Sequence, residues 1–173
     1  MPPFADLIDL DTLHLRPGEG RRVDTEVRIQ PLLLGGQRYA VDGGTVDTRL
    51  DVSRTVTSGY ALRLRFDAPM EGTCMRCMAD AMPVVPVDAH EVDQAGPAEE
   101  LHSPYFEGGV VDLAAWGRDA LLLAMPAQVV CREDCLGLCS VCGADLNEAD
   151  PEAHRHNEGT DPRWSKLRDL KLG

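Results

Sequence analysis

The chain has 173 residues, 29 acidic against 17 basic side chains and a formal charge of −12, a balance that repels RNA phosphate and anionic membranes and favours basic partners. That length suits a single domain able to bury a core without covalent staples. With only two Trp, three Tyr and three Phe, the core is expected to be Val, Leu and Ala.

The N-terminus, MPPFADLIDL, lacks the basic and long apolar regions of a secretory leader. The longest apolar stretch, Ala120 to Val130, is too short to span a bilayer and contains Pro126 and Gln128. A cytosolic location is expected. Residues 1–43 read as an irregular lead-in with short strands: one over Val23–Ile29, broken by Pro31, then the turn-rich GGQRYAVDGG. From Val46 to Val56 the pattern is sharper. Val46, Leu50, Val52 and Val56 alternate with Asp47, Arg49, Asp51 and Ser53, as in a half-buried strand. After a short loop, Tyr60, Leu62, Leu64 and Phe66 resume the alternation against Arg63, Arg65 and Asp67, which predicts an antiparallel hairpin. Pro69 and Gly72 are expected to end it. Val84–Val92 reads as another strand, with Pro86 favouring a sheet edge or a bend.

Residues 93–109, rich in Pro, Gly and acid, read as a flexible acidic surface loop. VVDLAAWGRDALLLAMP then reads as a strand stub and a helix. Asp112 is its N-cap, Leu113, Trp116, Ala120, Leu121 and Ala124 form its apolar stripe, and Pro126 is its stop. A last helix is expected in TDPRWSKLRDLKLG, with Asp161 as cap, Pro162 at the first position, and Trp164, Leu167 and Leu170 on one side. The class expected is α+β: a mainly antiparallel β-sheet or barrel-like core, two or more short helices and a C-terminal zinc-knuckle-like segment.

All six cysteines fall in two neighbourhoods. Cys74 and Cys77 form CMRC after the hairpin. Cys131, Cys135, Cys139 and Cys142 form C-x3-C-x3-C-x2-C within a cysteine-rich segment, 131–160. In a reducing cytosol such clusters are more often metal ligands or redox centres than disulfides. Zinc takes four ligands at tetrahedral corners, and a C-x2-C turn brings two thiolates to one ion while its backbone N–H groups face the sulfurs. Gly137 and Gly143 supply backbone freedom around the turns. Two arrangements stay open: Cys131, Cys135, Cys139 and Cys142 around one ion with Cys74 and Cys77 nearby, or the CMRC and CSVC turns clamping one ion together. His154 and His156 in the downstream HRH are further candidate ligands, or simply exposed residues of an acidic tail. His14, His90 and His102 are isolated and read as structural or surface groups. Arg49, Arg63 and Arg65 read as a solvated face paired with Asp47, Asp51 and Asp67.

No nucleophile elbow, phosphate-binding loop, dinucleotide fingerprint or H-E-x-x-H is present. A closed four-thiolate site leaves no open position for catalysis. No enzymatic activity and no small-molecule substrate are expected.

Three segments, GTCMRCM, then DLAAWGRDALLLAMPAQVVCREDCLGLCSVCGADLN, then DPRWSKLRDL, together resemble the YceD family of large ribosomal RNA subunit accumulation proteins, in order over roughly residues 20–172. The resemblance implies a single such domain over 1–173 and a bacterial or plastid-type cytoplasmic factor supporting large-subunit rRNA accumulation and ribosome assembly. It also carries over Cys74, Cys77, Cys131, Cys135, Cys139 and Cys142 as the family's cysteines, implying zinc. Ser140 stands where many relatives have Pro, and HRH where many have a further C-x-C, which implies His154 and His156 as substitute ligands. The expected partner is the large-subunit precursor, met through a basic ribosomal protein, with rRNA contact limited to an Arg-bearing face and no membrane involved. The alternative class is a thiol-based zinc or redox sensor.

Overall fold

The computed structural model describes residues 3–57, 59–94, 96, 101–150, 154 and 156. Ten strands and one α-helix are found there: β1 (Leu7–Asp9), β2 (Gly20–Arg28), β3 (Leu32–Leu34), β4 (Gln37–Val41), β5 (Thr45–Arg54), β6 (Gly59–Thr73), β7 (Asp80–Ala81), β8 (Val84–Gln94), β9 (Phe106–Glu107), β10 (Val110–Asp112) and α1 (Leu113–Ala124), with two 3₁₀ turns at Leu10–Leu13 and Asp42–Gly44. The expected antiparallel β architecture is present. The expected C-terminal helix at 161–170 lies outside the described residues.

The main sheet is built around β6. Its first half pairs with β5 (Leu50↔Leu64, Val52↔Leu62) and its far end with β4 (Ala40↔Glu71). Its other edge carries β8 (Leu62↔Glu91, Asp67↔Pro86) and then β7 (Gly72↔Ala81). The path continues outward through β2 beyond β5 and β3 beyond β4. A smaller sheet runs β1-β10-β9. Every strand pairing is antiparallel.

The hairpin expected from the alternation is β5–β6, and its apolar set is the core face: Val46, Leu50, Val52, Tyr60, Leu62, Leu64 and Phe66 are buried. The strand does not stop at Pro69. β5 pairing ends at Arg65 and β4 pairing starts at Met70. The Met70 N–H turns toward Pro83 on the β8 side, so by alternation position 69 faces the edge that has no partner there, where a missing N–H costs nothing. The lead-in is also more regular than expected. β2 pairs with β5 over its whole length, and the turn-rich GGQRYAVDGG contains β4, whose Tyr39 and Val41 are core residues.

α1 closes the core. The Asp112 carboxylate accepts from the Ala115 N–H at 2.9 Å, and Leu113, Trp116, Gly117, Ala120 and Leu121 face inward. Gly117 lets the helix approach the sheet: a Cβ there would lie 2.9 Å from Ile29 Cδ1. Ala124 is exposed and ends the helix just before Met125 and Pro126. The segment read as a loop over 93–109 is partly built in. Asp93 and Gln94 finish β8, and the buried Asp93 carboxylate accepts from the Ser103 N–H at 3.2 Å. Pro86 lies in β8, which pairs with no strand but β6 among the described residues, so the strand is an edge as expected.

The solvent face of the sheet is an Arg–Asp lattice: Arg22 and Arg65 on Asp51, Arg49 on Asp24, and Arg63 on Asp88. Asp51 sits below the usual carboxylate range even though burial opposes this, because both guanidiniums bond it.

Candidate metal centre

CMRC occupies the loop of the β6–β7 hairpin. Thr73 pairs with Asp80, and the six residues between them turn tightly. The Cys74 N–H donates to Ala79 O (2.7 Å), the Met78 N–H donates to Cys74 O (3.0 Å), and Met78 takes a left-handed φ of 65°. The Arg76 N–H points at Cys74 Sγ, 3.4 Å away. The CSVC turn repeats this plan. Leu138 bridges Asp145, the Cys139 N–H donates to Ala144 O and the Gly143 N–H to Cys139 O (both 2.8 Å), and Gly143 has φ 73°. The Val141 N–H faces Cys139 Sγ at 3.5 Å. One backbone device, a knuckle with N–H groups aimed at a sulfur, therefore occurs twice.

The knuckles do not share a centre. The first meets Cys131 and Cys135, brought round by the chain that leaves α1. In that chain Val129 is fully buried and its carbonyl accepts the Met75 N–H at 2.8 Å. Cys74 Sγ lies 3.8 Å from Cys135 Sγ, and Cys77 Sγ 3.6 Å from Cys131 Sγ. All four sulfurs fall within 4.8 Å of one another. A tetrahedron with zinc–sulfur bonds of about 2.3 Å has edges of about 3.8 Å, so the four thiols are geometrically compatible with such an ion. The second knuckle gathers a different set: Cys139, Cys142 and His156, also within 4.8 Å. The grouping is thus neither of the two that spacing suggests. The C-x3-C-x3-C-x2-C run is split after its second cysteine, and CMRC pairs with the first half of the run rather than with CSVC. His14, His90 and His102 belong to neither cluster.

Electrostatics in the first cluster favour a cation. Burial opposes ionisation of Cys74, but the backbone N–H groups around its sulfur outweigh this and hold it at about 6. Cys131 is pushed up to about 12, first by burial and then by the neighbouring thiols. Cys77 has the Ala79 N–H at its sulfur, yet burial and the thiols of Cys74 and Cys135 raise it. Thiols this close cannot all ionise unaided, and a bound cation removes the repulsion. A four-thiolate tetrahedral set suits zinc. The described cysteines are all free thiols.

Spacing alone gave no role to the residues that brace the site. Arg76, inside CMRC, donates from Nε and Nη2 to Gln128 Oε1 (3.1 and 3.0 Å) and from Nη1 to Cys135 O (3.1 Å), bolting the knuckle to the incoming chain. Its own carbonyl accepts the Leu138 N–H at 3.0 Å, which ties the second knuckle to the first. Asn147 accepts from the Leu136 N–H (2.8 Å) and Arg132 Nη2 (2.9 Å), and its amide reaches Cys135 Sγ at 3.6 Å. The usable signal was a polar residue within or just after each cysteine turn.

Among the described residues, these features define a mainly antiparallel β-sheet protein with a packed helix and two cysteine knuckles whose clusters are geometrically compatible with metal ions. The chain belongs to the family described as large ribosomal RNA subunit accumulation protein YceD, whose model matches residues 62–171. It is 33% identical over 169 residues to uncharacterized proteins of Mycobacterium tuberculosis (strain H37Rv) and Mycobacterium bovis (strain AF2122/97), covering 92% of this chain and 78% of each relative. It is also 33% identical over 110 residues to an uncharacterized protein of Mycobacterium leprae (strain TN), covering 60% of this chain and 49% of that one. No solved structure matches. Among the described residues no helix is long and apolar enough to cross a membrane.

Proposed function

We propose that this protein is a non-enzymatic cytoplasmic factor that supports accumulation of large-subunit rRNA and assembly of the large ribosomal subunit, with a structural zinc ion held by Cys74, Cys77, Cys131 and Cys135. The observation that supports the functional reading is membership of a family described as large ribosomal RNA subunit accumulation protein, and the assembly role extends that description. The zinc reading rests on the four sulfurs within 4.8 Å of one another. The ion's chemistry here is that of a closed Lewis acid: it neutralises thiolates and pins the chain after α1 to the β6–β7 hairpin, so its binding energy is folding energy.

The docking chemistry follows from charge. The open groove on the sheet's polar face offers Asp24, Asp47, Asp67 and Asp88 against Arg49 and Arg65, and the whole chain carries −12. Such a surface steers toward a basic protein of the large-subunit precursor rather than toward bare phosphate, and rRNA contact is confined to the arginines. Depletion in a bacterial host, followed by gradient profiles and large-subunit rRNA levels, tests the assignment. Reduced large subunits and reduced rRNA, restored by the wild-type gene, are expected; normal profiles would overturn it.

A further inference from the structure

We propose that Cys139, Cys142 and His156 form a second, separate divalent-cation site, with the neighbouring His154 at its margin, so that each chain takes up two ions. The inference extends the zinc reading above to a second ion and stands on different atoms.

Three independent observations converge on it. The first is the repeated knuckle: CSVCGA reproduces the three hydrogen bonds and the left-handed fifth residue of CMRCMA, in the same positions. The first copy presents its two thiols to two further donors, so the second would have no chemical purpose for the same geometry without donors of its own. The second is the donor set: His156 lies with both sulfurs of the knuckle inside 4.8 Å. The third is the state of the imidazoles. Nδ1 and Nε2 of His154 and Nε2 of His156 are buried with no hydrogen-bond partner among the described residues. An unpaired buried polar atom is costly, and an imidazole nitrogen beside thiolates is relieved by coordination. The two rings stand side by side, centroids 5.8 Å apart, and the His156 N–H donates to His154 O at 2.8 Å, which fixes the pair. Two sulfurs and the His156 imidazole make a mixed three-donor set that suits zinc, and His154, outside that 4.8 Å group, is the adjacent residue able to swing in as a fourth donor.

The sites differ in access. In the first, Cys74, Cys77 and Cys135 are buried and Cys131 alone is exposed; in the second, Cys139 is buried and Cys142 is exposed. The second ion therefore exchanges first. It holds the knuckle's own fold, while the first ion joins the knuckle to the β-sheet.

The test uses the full reduced chain loaded with zinc(II) and read by native mass spectrometry. The wild type is expected to carry two zinc ions and the His154→Ala/His156→Ala variant one, with unchanged sheet circular dichroism. A chromophoric chelator should remove one ion at least about tenfold faster than the other. Cobalt(II) supplies a second readout: the second equivalent should add a spectrum of fewer sulfur donors than the first. One zinc in the wild type, or two retained in the histidine variant, overturns the second site. A single zinc that survives the histidine changes but is lost in Cys131→Ser overturns it while leaving the first site standing. No zinc at all overturns both.

Discussion

Gly72→Ala tests how tightly the sheet is fitted beneath the first knuckle. Gly72 pairs with Ala81 two residues before Cys74, and its missing side chain is replaced by the ring of Tyr39. A Cβ there would stand 2.1 Å from Tyr39 Cδ1 and 2.5 Å from Cε1. Ordinary carbon contacts lie at about 3.5–4.0 Å, so the ring must retreat by about 1.5 Å. It has nowhere to go: Tyr39 is fully buried, and its hydroxyl donates to Thr73 O at 3.0 Å. Overpacking costs about 1–3 kcal/mol and a lost buried hydrogen bond about 1 kcal/mol more. Reduced backbone freedom in the unfolded chain returns about 0.4–1 kcal/mol. The net loss is about 2–3 kcal/mol, which in a chain of this size lowers Tm by roughly 4–10 °C. Thermal and urea unfolding of the zinc-loaded protein measure it, and Tyr39→Leu in the Gly72→Ala background separates the clash from general damage. The two changes should be non-additive by about 1 kcal/mol or more. A Tm unchanged by Gly72→Ala, or strictly additive effects, would refute the reasoning.

Arg76→Ala removes the fork to Gln128 and Cys135 without touching a sulfur; zinc affinity at the first cluster should fall about 10–100-fold in competition with a chelator, and an unchanged affinity would deny the brace. The two knuckles make opposite predictions at their fifth residue. Met78 is mostly exposed and carries φ 65°, so Met78→Gly should be neutral or stabilise by up to about 1 kcal/mol, whereas Gly143→Ala, with open space around its Cβ, should cost about 1 kcal/mol from backbone strain alone; urea unfolding with equal effects at both would contradict the repeat. Asp51→Asn should cost about 1 kcal/mol at neutral pH by releasing Arg22 and Arg65. Because the folded pKa of Asp51 is lowered, its stabilisation is present above the unfolded value near 4 and fades as pH falls through the folded one. The gap between wild type and variant in urea midpoints should therefore close below about pH 4; a gap independent of pH would deny the ion-pair account.

How far the sequence revealed this fold depends on the element. β5 and the first half of β6 were legible because two alternating runs, 46–56 and 60–67, put Leu50, Val52, Leu62 and Leu64 on one face. α1 was legible because Asp112 caps it and Pro126 follows it. β4 was hidden because it is five residues long and sits between glycine pairs, Gly35–Gly36 and Gly43–Gly44, that read as turns. The continuation of β6 through Pro69 depends on which edge is unpaired there, a property of the sheet rather than of the strand. The cysteines announced a metal-compatible cluster, but not its partition. Cys135 stands only four positions before Cys139, and Cys131 eight. They part company because Arg76, Gln128 and Val129 hold the incoming chain against the first knuckle, contacts that link residues more than fifty positions apart.

That partition bears on what the cysteine segment does for the fold. Among the described residues after α1 none joins the main sheet, and Leu136, Leu138 and Val141 remain exposed, so apolar burial alone gives this stretch little reason to stay in place. What fixes it are hydrogen bonds to the CMRC turn and the convergence of four sulfurs. If a cation holds those sulfurs, stripping it should leave the sheet folded on the core it shares with α1, a core that Val129 and Cys135 join only at its edge in sequence, while amides of 131–147 lose hydrogen-exchange protection and those of β5 and β6 keep it. Protection lost across β5 and β6 together with 131–147 would make the metal clusters part of the core itself. Protection retained at 131–147 without metal would mean that the Arg76 and Asn147 contacts suffice, and that the sulfurs are neighbours without being ligands.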